Sequence, residues 1–281
     1  MMIFMAVVVV LGWVFGKIYA VGYGGVIMAA GLAILINLFS YFKGDKVALA
    51  MAGAKKIAPT DNPYVYRLVE NLCLADGLPM PKIHIINDPN INAFATGRSP
   101  KNASIAITSG AVEKLENEEL EGVIAHELSH IKNYDIRLMT IVIICVGIIT
   151  LLADFFLRGQ FIFGGRKNDR GGGQLGAILM IAGVVLSILS PIFATLIQLS
   201  VSRKREYLAD ASGALLTRYP QGLANALEKI RLHNQPMRRA NHATAHLYIA
   251  SPFSGAGKKI AGLFATHPPI EERIAKLRQM A

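Results

Sequence analysis

Charged side chains are spread unevenly along the chain. Residues 1–16 carry none and residues 18–42 carry none, with Lys17 alone between them. Residues 138–153 form a third uncharged run, and residues 171–202 form a fourth of 32 residues. A helix that spans a bilayer needs about 20 apolar residues at a rise of about 1.5 Å each. The second and fourth runs reach that length unaided. The first reaches it if Lys17 snorkels to the interface. The third reaches it by extending through Asp154, Phe155, Phe156 and Leu157, with Asp154 meeting headgroups or a partner. Each run has an alternative reading as a buried helix of a soluble core. The first has another as a signal peptide, although it lacks a basic n-region and a clean small-residue cleavage site. The preferred organisation is an N-terminal membrane hairpin over residues 1–42, turning at Gly22, Gly24 and Gly25, and a second hairpin over 138–202. Residues 43–137 and 203–281 then form one domain interrupted by that second hairpin.

The polar stretches carry their own periodicities. Residues 46–58 read as a short amphipathic helix beside the bilayer. Asn62-Pro63 opens a further helix that Gly77 stops. Lys82–Ile86 alternates as a strand, with His84 on its surface. Residues 92–97 and 104–108 read as two more strands, separated by a polar turn at 99–102. From Asn117, taken as an N-cap, glutamates fill the first turn and Leu120, Val123, Ile124, Leu128 and Ile131 fall at helical spacing. Pro268-Pro269 opens a last helix, acidic at its start and basic at its end. The fold class is α+β: a mainly helical domain with a small sheet, plus about four transmembrane helices.

Composition supports the membrane reading, because 53% of residues are hydrophobic and the mean hydropathy is +0.41. The net charge of +10 asks for a partner. Lys43, Lys46, Lys55 and Lys56 follow the second run, and Arg203, Lys204 and Arg205 follow the fourth. Basic residues beside spans mark the cytoplasmic side and pair with anionic lipid. No aromatic-interleaved basic stripe points to nucleic acid. Arg158, Arg166, Lys167 and Arg170, between the third and fourth runs, work against this orientation. Cys73 and Cys145 are too few for a disulfide framework or a four-cysteine zinc site, which fits a reducing, cytoplasm-facing domain.

The helix from Asn117 carries His126-Glu127-Leu128-Ser129-His130. Two histidines four apart project from one helical face, so both imidazoles reach one metal ion. Glu127 lies about 100° round the helix from His126, placed to face a water without ligating the metal. Two nitrogen ligands, a carboxylate base and an open position are what a zinc hydrolase requires. A third protein ligand is wanted from another element. Glu206 and Asp210 share one helical face and stand out. Glu206 is a candidate ligand, and Asp210 a hydrogen-bond partner for a ligand histidine. Ala209, Ala211 and Gly213 let that helix press close to another backbone. The residues alone leave a surface Glu206, paired with Arg203 or Arg205, equally open. His233, His242 and His246 read as loop or surface residues, and His267 on its own as structural.

Together, residues 126–130, Glu206 with Asp210, Asn92–Gly97 and Thr266-His267-Pro268-Pro269 resemble the HtpX-like membrane zinc metalloproteases, relatives of the CAAX prenyl proteases. The resemblance covers nearly the whole chain, including the placement of the four apolar runs. It implies a zincin-type domain with one zinc per chain, held by His126, His130 and Glu206, with Glu127 as the base. It implies peptide docking by β-augmentation along Asn92, Ala93, Phe94, Ala95 and Thr96, with Asn92 holding the substrate backbone. It also implies that His267 and Arg273 stabilise the oxyanion. The expected function is an integral-membrane zinc endopeptidase in quality control of membrane or misfolded proteins under stress. Its expected place is the bacterial inner membrane, multi-pass, with the catalytic domain in the cytoplasm. A catalytically idle scaffold or chaperone and a zinc transporter are the alternatives. The intact Glu127 argues against the first, and spans nearly bare of ionisable residues argue against the second.

Overall fold

The architecture comes from a computed structural model. It describes residues 22–141, 203–233, 235–239, 244–253 and 268–280, together with Met5, Val8, Val9, Gly12 and Trp13. Most of the third apolar run, all of the fourth, His242 and His267 lie outside the described residues. The chain divides into two compact units. One comprises Met1–Phe42 and Ile141–Ile197; the other comprises Lys43–Thr140 and Gln198–Ala281.

In the first unit, helix α1 begins at Tyr23 and runs to Ala52, well past the charge boundary at Lys43. Ile27, Met28, Leu32, Leu35, Phe39 and Phe42 are all more than half exposed on it. Among the described residues it is the one helix long and apolar enough to cross a bilayer. An amphipathic helix over 46–58 does not form. Residues 46–52 prolong α1, Gly53 turns the chain, and Ala54–Lys56 become strand β1. Long-range pairing with β2 overrides the local helical pattern, with Lys55 opposite Ile85.

The second unit holds a four-stranded mixed sheet in the order β1-β2-β4-β3. Strands β2 (Lys82–Ile86), β3 (Ala93–Gly97) and β4 (Ala103–Thr108) lie close to the ranges read from alternation. β2 pairs parallel with β4, Ile83 opposite Ile105, and β3 pairs antiparallel with β4, Ala95 opposite Ile105. His84 is not a surface histidine. It is 7% exposed, and burial lowers its pKa. Helix α2 (Pro63–Asp76) has the expected caps: the Asn62 side chain accepts from the Val65 N–H, and Gly77 closes the helix at φ 68°.

Short helix α3 (Ser109–Lys114) leads to the central helix α4 (Asn117–Lys132). Its N-cap is Glu116 rather than Asn117, because the Glu119 carboxylate reaches back to accept the Glu116 N–H at 2.8 Å. Helices α5 (Arg203–Thr217) and α6 (Pro220–His233) pack against α4, and α7 (Ile270–Arg278) packs on α5 and α6. From Leu120 to Ile131 all of α4 except Glu121 is buried, so this helix is the core rather than a cover for it. Leu120, Ile124, Leu128 and Ile131 join Ile83, Ile105 and Ile107 of the sheet in one apolar cluster.

Candidate metal centre

The site is assembled where α4 meets α5. Gly213 of α5 faces the His126 backbone so closely that a Cβ there would lie 3.0 Å from the His126 nitrogen. That contact brings Glu206, two helical turns earlier on α5, over the two histidines. Nε2 of His126 and Nε2 of His130 are 3.2 Å apart. Glu206 Oε2 is 3.8 Å from the first and Oε1 is 3.4 Å from the second. One donor atom from each residue falls within a span of 4.8 Å. The surface alternative for Glu206 is excluded, since it is 0% exposed.

A carboxylate buried this deeply beside two inward-facing ring nitrogens needs a cation. The set of two imidazoles and one carboxylate has the composition and spacing of a three-ligand zinc site, so these residues fit the metal. The surrounding field points the same way. Burial works against a charge on His130, yet Asp135, Glu206 and Glu127 outweigh it and raise its pKa to about 9. His126 behaves oppositely. Burial takes it down to about 4, although Asp210 opposes the fall. Glu127 is 1% exposed, and burial pushes its carboxyl up to about 7, with His130 opposing and Glu206 assisting.

Both histidines are backed on their second ring nitrogen. Asp210 Oδ1 lies 2.9 Å from His126 Nδ1, a polar contact rather than an aligned hydrogen bond. Asp210 is held by Arg273, whose Nε and Nη2 donate to the two carboxylate oxygens at 2.9 and 2.7 Å. On the other side, His130 Nδ1 meets Asp135 Oδ2 at 3.0 Å, and Arg205 bonds the remaining Asp135 oxygen. Asp135 and Arg205 were not picked out by sequence reasoning. Asp135 lies beyond the motif helix, and Tyr134 brings it back by adopting φ 59°, a left-handed conformation rare for a bulky residue.

A profile of the peptidase family M48 matches residues 59–281. The chain belongs to peptidase family M48. It is 46% identical over 280 residues to the protease HtpX homolog of Caldanaerobacter subterraneus subsp. tengcongensis, covering 99% of this chain and 92% of that one. It is 48% identical over 255 residues to the protease HtpX homolog of Tropheryma whipplei (strain Twist), covering 90% and 84%. The crystal structure of S. mikatae Ste24p shares the fold at a TM-score of 0.55 and 19% identity, over 95% of this chain and 62% of that one. The chain is thus a zinc metallopeptidase acting on polypeptides, and His126, His130 and Glu206 form a buried group able to hold the metal.

The remaining expected site residues fall in different places. All three kinds of guanidinium nitrogen on Arg273 are engaged, because Nη1 donates to the Ile249 carbonyl at 3.0 Å. Strand β3 is the sheet edge, yet it is buried along its whole length. The Ile249 N–H donates to the Ala93 carbonyl at 3.0 Å, and the Gly97 N–H donates to Thr140 Oγ1 at 3.1 Å. The Asn92 amide donates to the Ala250 carbonyl at 3.0 Å, so Asn92 grips this chain's own backbone. Midway between these contacts, the backbone of Ala95 faces the Glu127 carboxylate. His246 is buried beside the Met139 carbonyl rather than on the surface, while His233 is exposed at the end of α6.

Proposed function

We propose that this metallopeptidase is a multi-pass protein of the bacterial inner membrane that cleaves membrane-associated or misfolded polypeptides from the cytoplasmic side. The observation that carries this reading is the buried His126–His130–Glu206 triangle with Glu127 beside it, in a chain whose helix α1 has a lipid-suited surface. His126, His130 and Glu206 would hold zinc, which would supply an acidified water and a Lewis acid for the scissile carbonyl. Glu127 takes the water proton and returns it to the leaving amine. His126 and His130 are the nitrogen ligands and Glu206 is the oxygen ligand. Asp210 orients His126, and Arg273 holds Asp210 in place.

Substrate adds to the outer edge of β3, with Asn92, Ala93, Phe94, Ala95 and Thr96 as the docking strand. Ala95 supplies the backbone nearest the base. The Ile249 contact at Ala93 shortens the edge open to a peptide. His267 serves the oxyanion, as the family resemblance implies. Four spans pair as two hairpins, 1–42 and 138–202, so that both halves of the domain share one face of the membrane with anionic lipid beside their basic flanks. Association with membrane-protein quality control follows from that placement.

Glu127→Gln tests the chemistry. The full chain, purified in detergent, is expected to retain one zinc and its melting temperature while losing nearly all cleavage of casein. A variant that keeps about a tenth of wild-type turnover would remove Glu127 from the role of base. Topology is tested in a background lacking Cys73 and Cys145. Gly165→Cys is expected to react with an impermeant thiol reagent in intact cells, and Lys101→Cys only after lysis. Protection of Gly165→Cys until lysis would overturn the second hairpin.

A further inference from the structure

The His130 side of the site contains a device that the His-Glu-x-x-His pattern does not announce. Asp135 is 3% exposed and makes two contacts, to His130 Nδ1 at 3.0 Å and to Arg205. Arg205 is 70 positions further along the chain, and its side chain is 49% exposed. Between the two lies the segment that contains the third and fourth uncharged runs, 138–153 and 171–202. The ion pair therefore closes the base of that insertion, joining the residue just before it to a residue just after it. Arg205 also immediately precedes Glu206. One pair thus connects a ligand on α4 with the backbone that carries the ligand on α5.

Resting on the reading that His130 and Glu206 are zinc ligands, we propose that Asp135 and Arg205 are positioning residues that fix both ligands against the base of the membrane insertion. Asp135 accepts the Nδ1 proton of His130, which sets the tautomer with its Nε2 lone pair facing the metal. Arg205 occupies the other Asp135 oxygen, so the carboxylate cannot turn toward solvent. Because Arg205 and Glu206 are adjacent, the same ion pair anchors the first turn of α5. A displacement of one insertion stem relative to the other alters the distance between two ligands. Asp210 and Arg273 lack this property, since Arg273 lies on α7 and their pair does not join the two insertion stems.

The test uses the full chain in detergent and compares Asp135→Asn, Asp135→Glu, Arg205→Gln and Arg205→Lys. Three readouts apply: zinc dissociation into a chromogenic chelator, the visible spectrum of the cobalt-substituted protein, and the melting temperature. Asp135→Asn is expected to accelerate zinc loss by about 10–100-fold and to shift the cobalt bands, because the amide can donate to Nδ1 and favours the wrong tautomer. Arg205→Gln is expected to accelerate it by several-fold, with Arg205→Lys restoring most of the loss. Wild-type dissociation and an unchanged cobalt spectrum in both Asp135→Asn and Arg205→Gln would overturn the proposal. If Asp135→Asn does not fold, Asp135→Glu and the half-exposed Arg205 variants decide it by the same readouts. His130→Ala separates the two layers. If that variant holds zinc like the wild type, the ligand assignment itself fails; if it loses zinc, only the positioning claim is under test.

Discussion

His126 and His130 stand four residues apart on one helix, and each is backed by an aspartate held by an arginine. The two supports differ in what surrounds them. Behind His126, Asp210 and Arg273 are 2% and 1% exposed, and the guanidinium grips both carboxylate oxygens. Behind His130, Asp135 is as deeply buried, but Arg205 reaches it from a half-exposed position. Burial lowers the pKa of His126 against the opposing Asp210, with Arg273 a lesser cause, while Asp135, Glu206 and Glu127 outweigh burial and raise that of His130. The motif sets where the ring nitrogens lie. Burial and the charges around each ring set which of them holds a proton before the metal arrives. Two histidines of one motif are therefore unequal, and the inequality is measurable.

The largest expected effect lies on the buried side. Arg273→Leu leaves Asp210 charged and without its principal partner inside the protein. Removing one member of a buried pair costs about 3–5 kcal/mol. In a domain of this size that lowers the melting temperature by roughly 10 °C. Replacing both residues, Arg273→Leu with Asp210→Leu, is expected to recover much of that stability, because no isolated charge remains. Zinc affinity should not recover with it, since His126 still lacks its backing, a loss of about 10–100-fold. A double variant that regains both stability and affinity would show that Asp210 serves folding alone.

A smaller effect concerns protons. Metal ligands must be deprotonated, so zinc has to displace any proton held by a ligand histidine. His126, at about 4, is already neutral near pH 7, while His130, at about 9, is not. In the Glu127→Gln variant, where the carboxyl raised to about 7 no longer titrates, zinc binding between pH 6 and pH 8 should then release one proton from this pair, and affinity should rise about tenfold per pH unit. A slope corresponding to two protons would mean that the histidines are equivalent. The metal-free protein should follow the opposite trend. The raised pKa of His130 contributes stability that is full below its unfolded value near 6.5 and is lost as pH climbs through about 9. Calorimetric proton release in two buffers, and melting of the metal-free chain against pH, check both trends.

This inequality shows where sequence reasoning stops. The ligand pair, the glutamate beside it and the Glu206–Asp210 face were legible because helical spacing is local. So were the caps of α2 and the strands 82–86 and 104–108, whose alternation and turn residues are local too. Asp135 and the arginines that hold the two aspartates were not. Arg273 meets Asp210 across 63 positions and Arg205 meets Asp135 across 70, distances over which periodicity carries no information. The left-handed Tyr134 that aims Asp135 is imposed by the fold rather than by residue type. The same reason explains the misread stretch 46–58, where pairing with β2 draws Ala54–Lys56 out of a helical pattern. It also explains why the contacts that Ile249 and Thr140 make at the ends of β3 were not legible.

The smallest expected effect sharpens the comparison by what it leaves unchanged. Helix α7, which carries Arg273, is also tied to α5 at the surface. The Tyr207 hydroxyl donates to Glu272 at 2.7 Å, and Lys276 sits 3.4 Å above the Tyr207 ring. Tyr207→Phe removes the hydrogen bond and keeps the ring. The loss is expected to be below about 1 kcal/mol, because both groups return to water. Zinc dissociation should not change, since the bidentate Asp210–Arg273 pair holds the His126 support without help from this exposed contact. Arg205→Gln is a lesion of similar exposure on the other side, yet it is expected to speed zinc loss several-fold, because its partner carboxylate touches His130 directly. If Tyr207→Phe accelerates zinc loss as much as Arg205→Gln does, the two supports are not insulated from the surface to different degrees. Their difference in burial would then have no bearing on the metal.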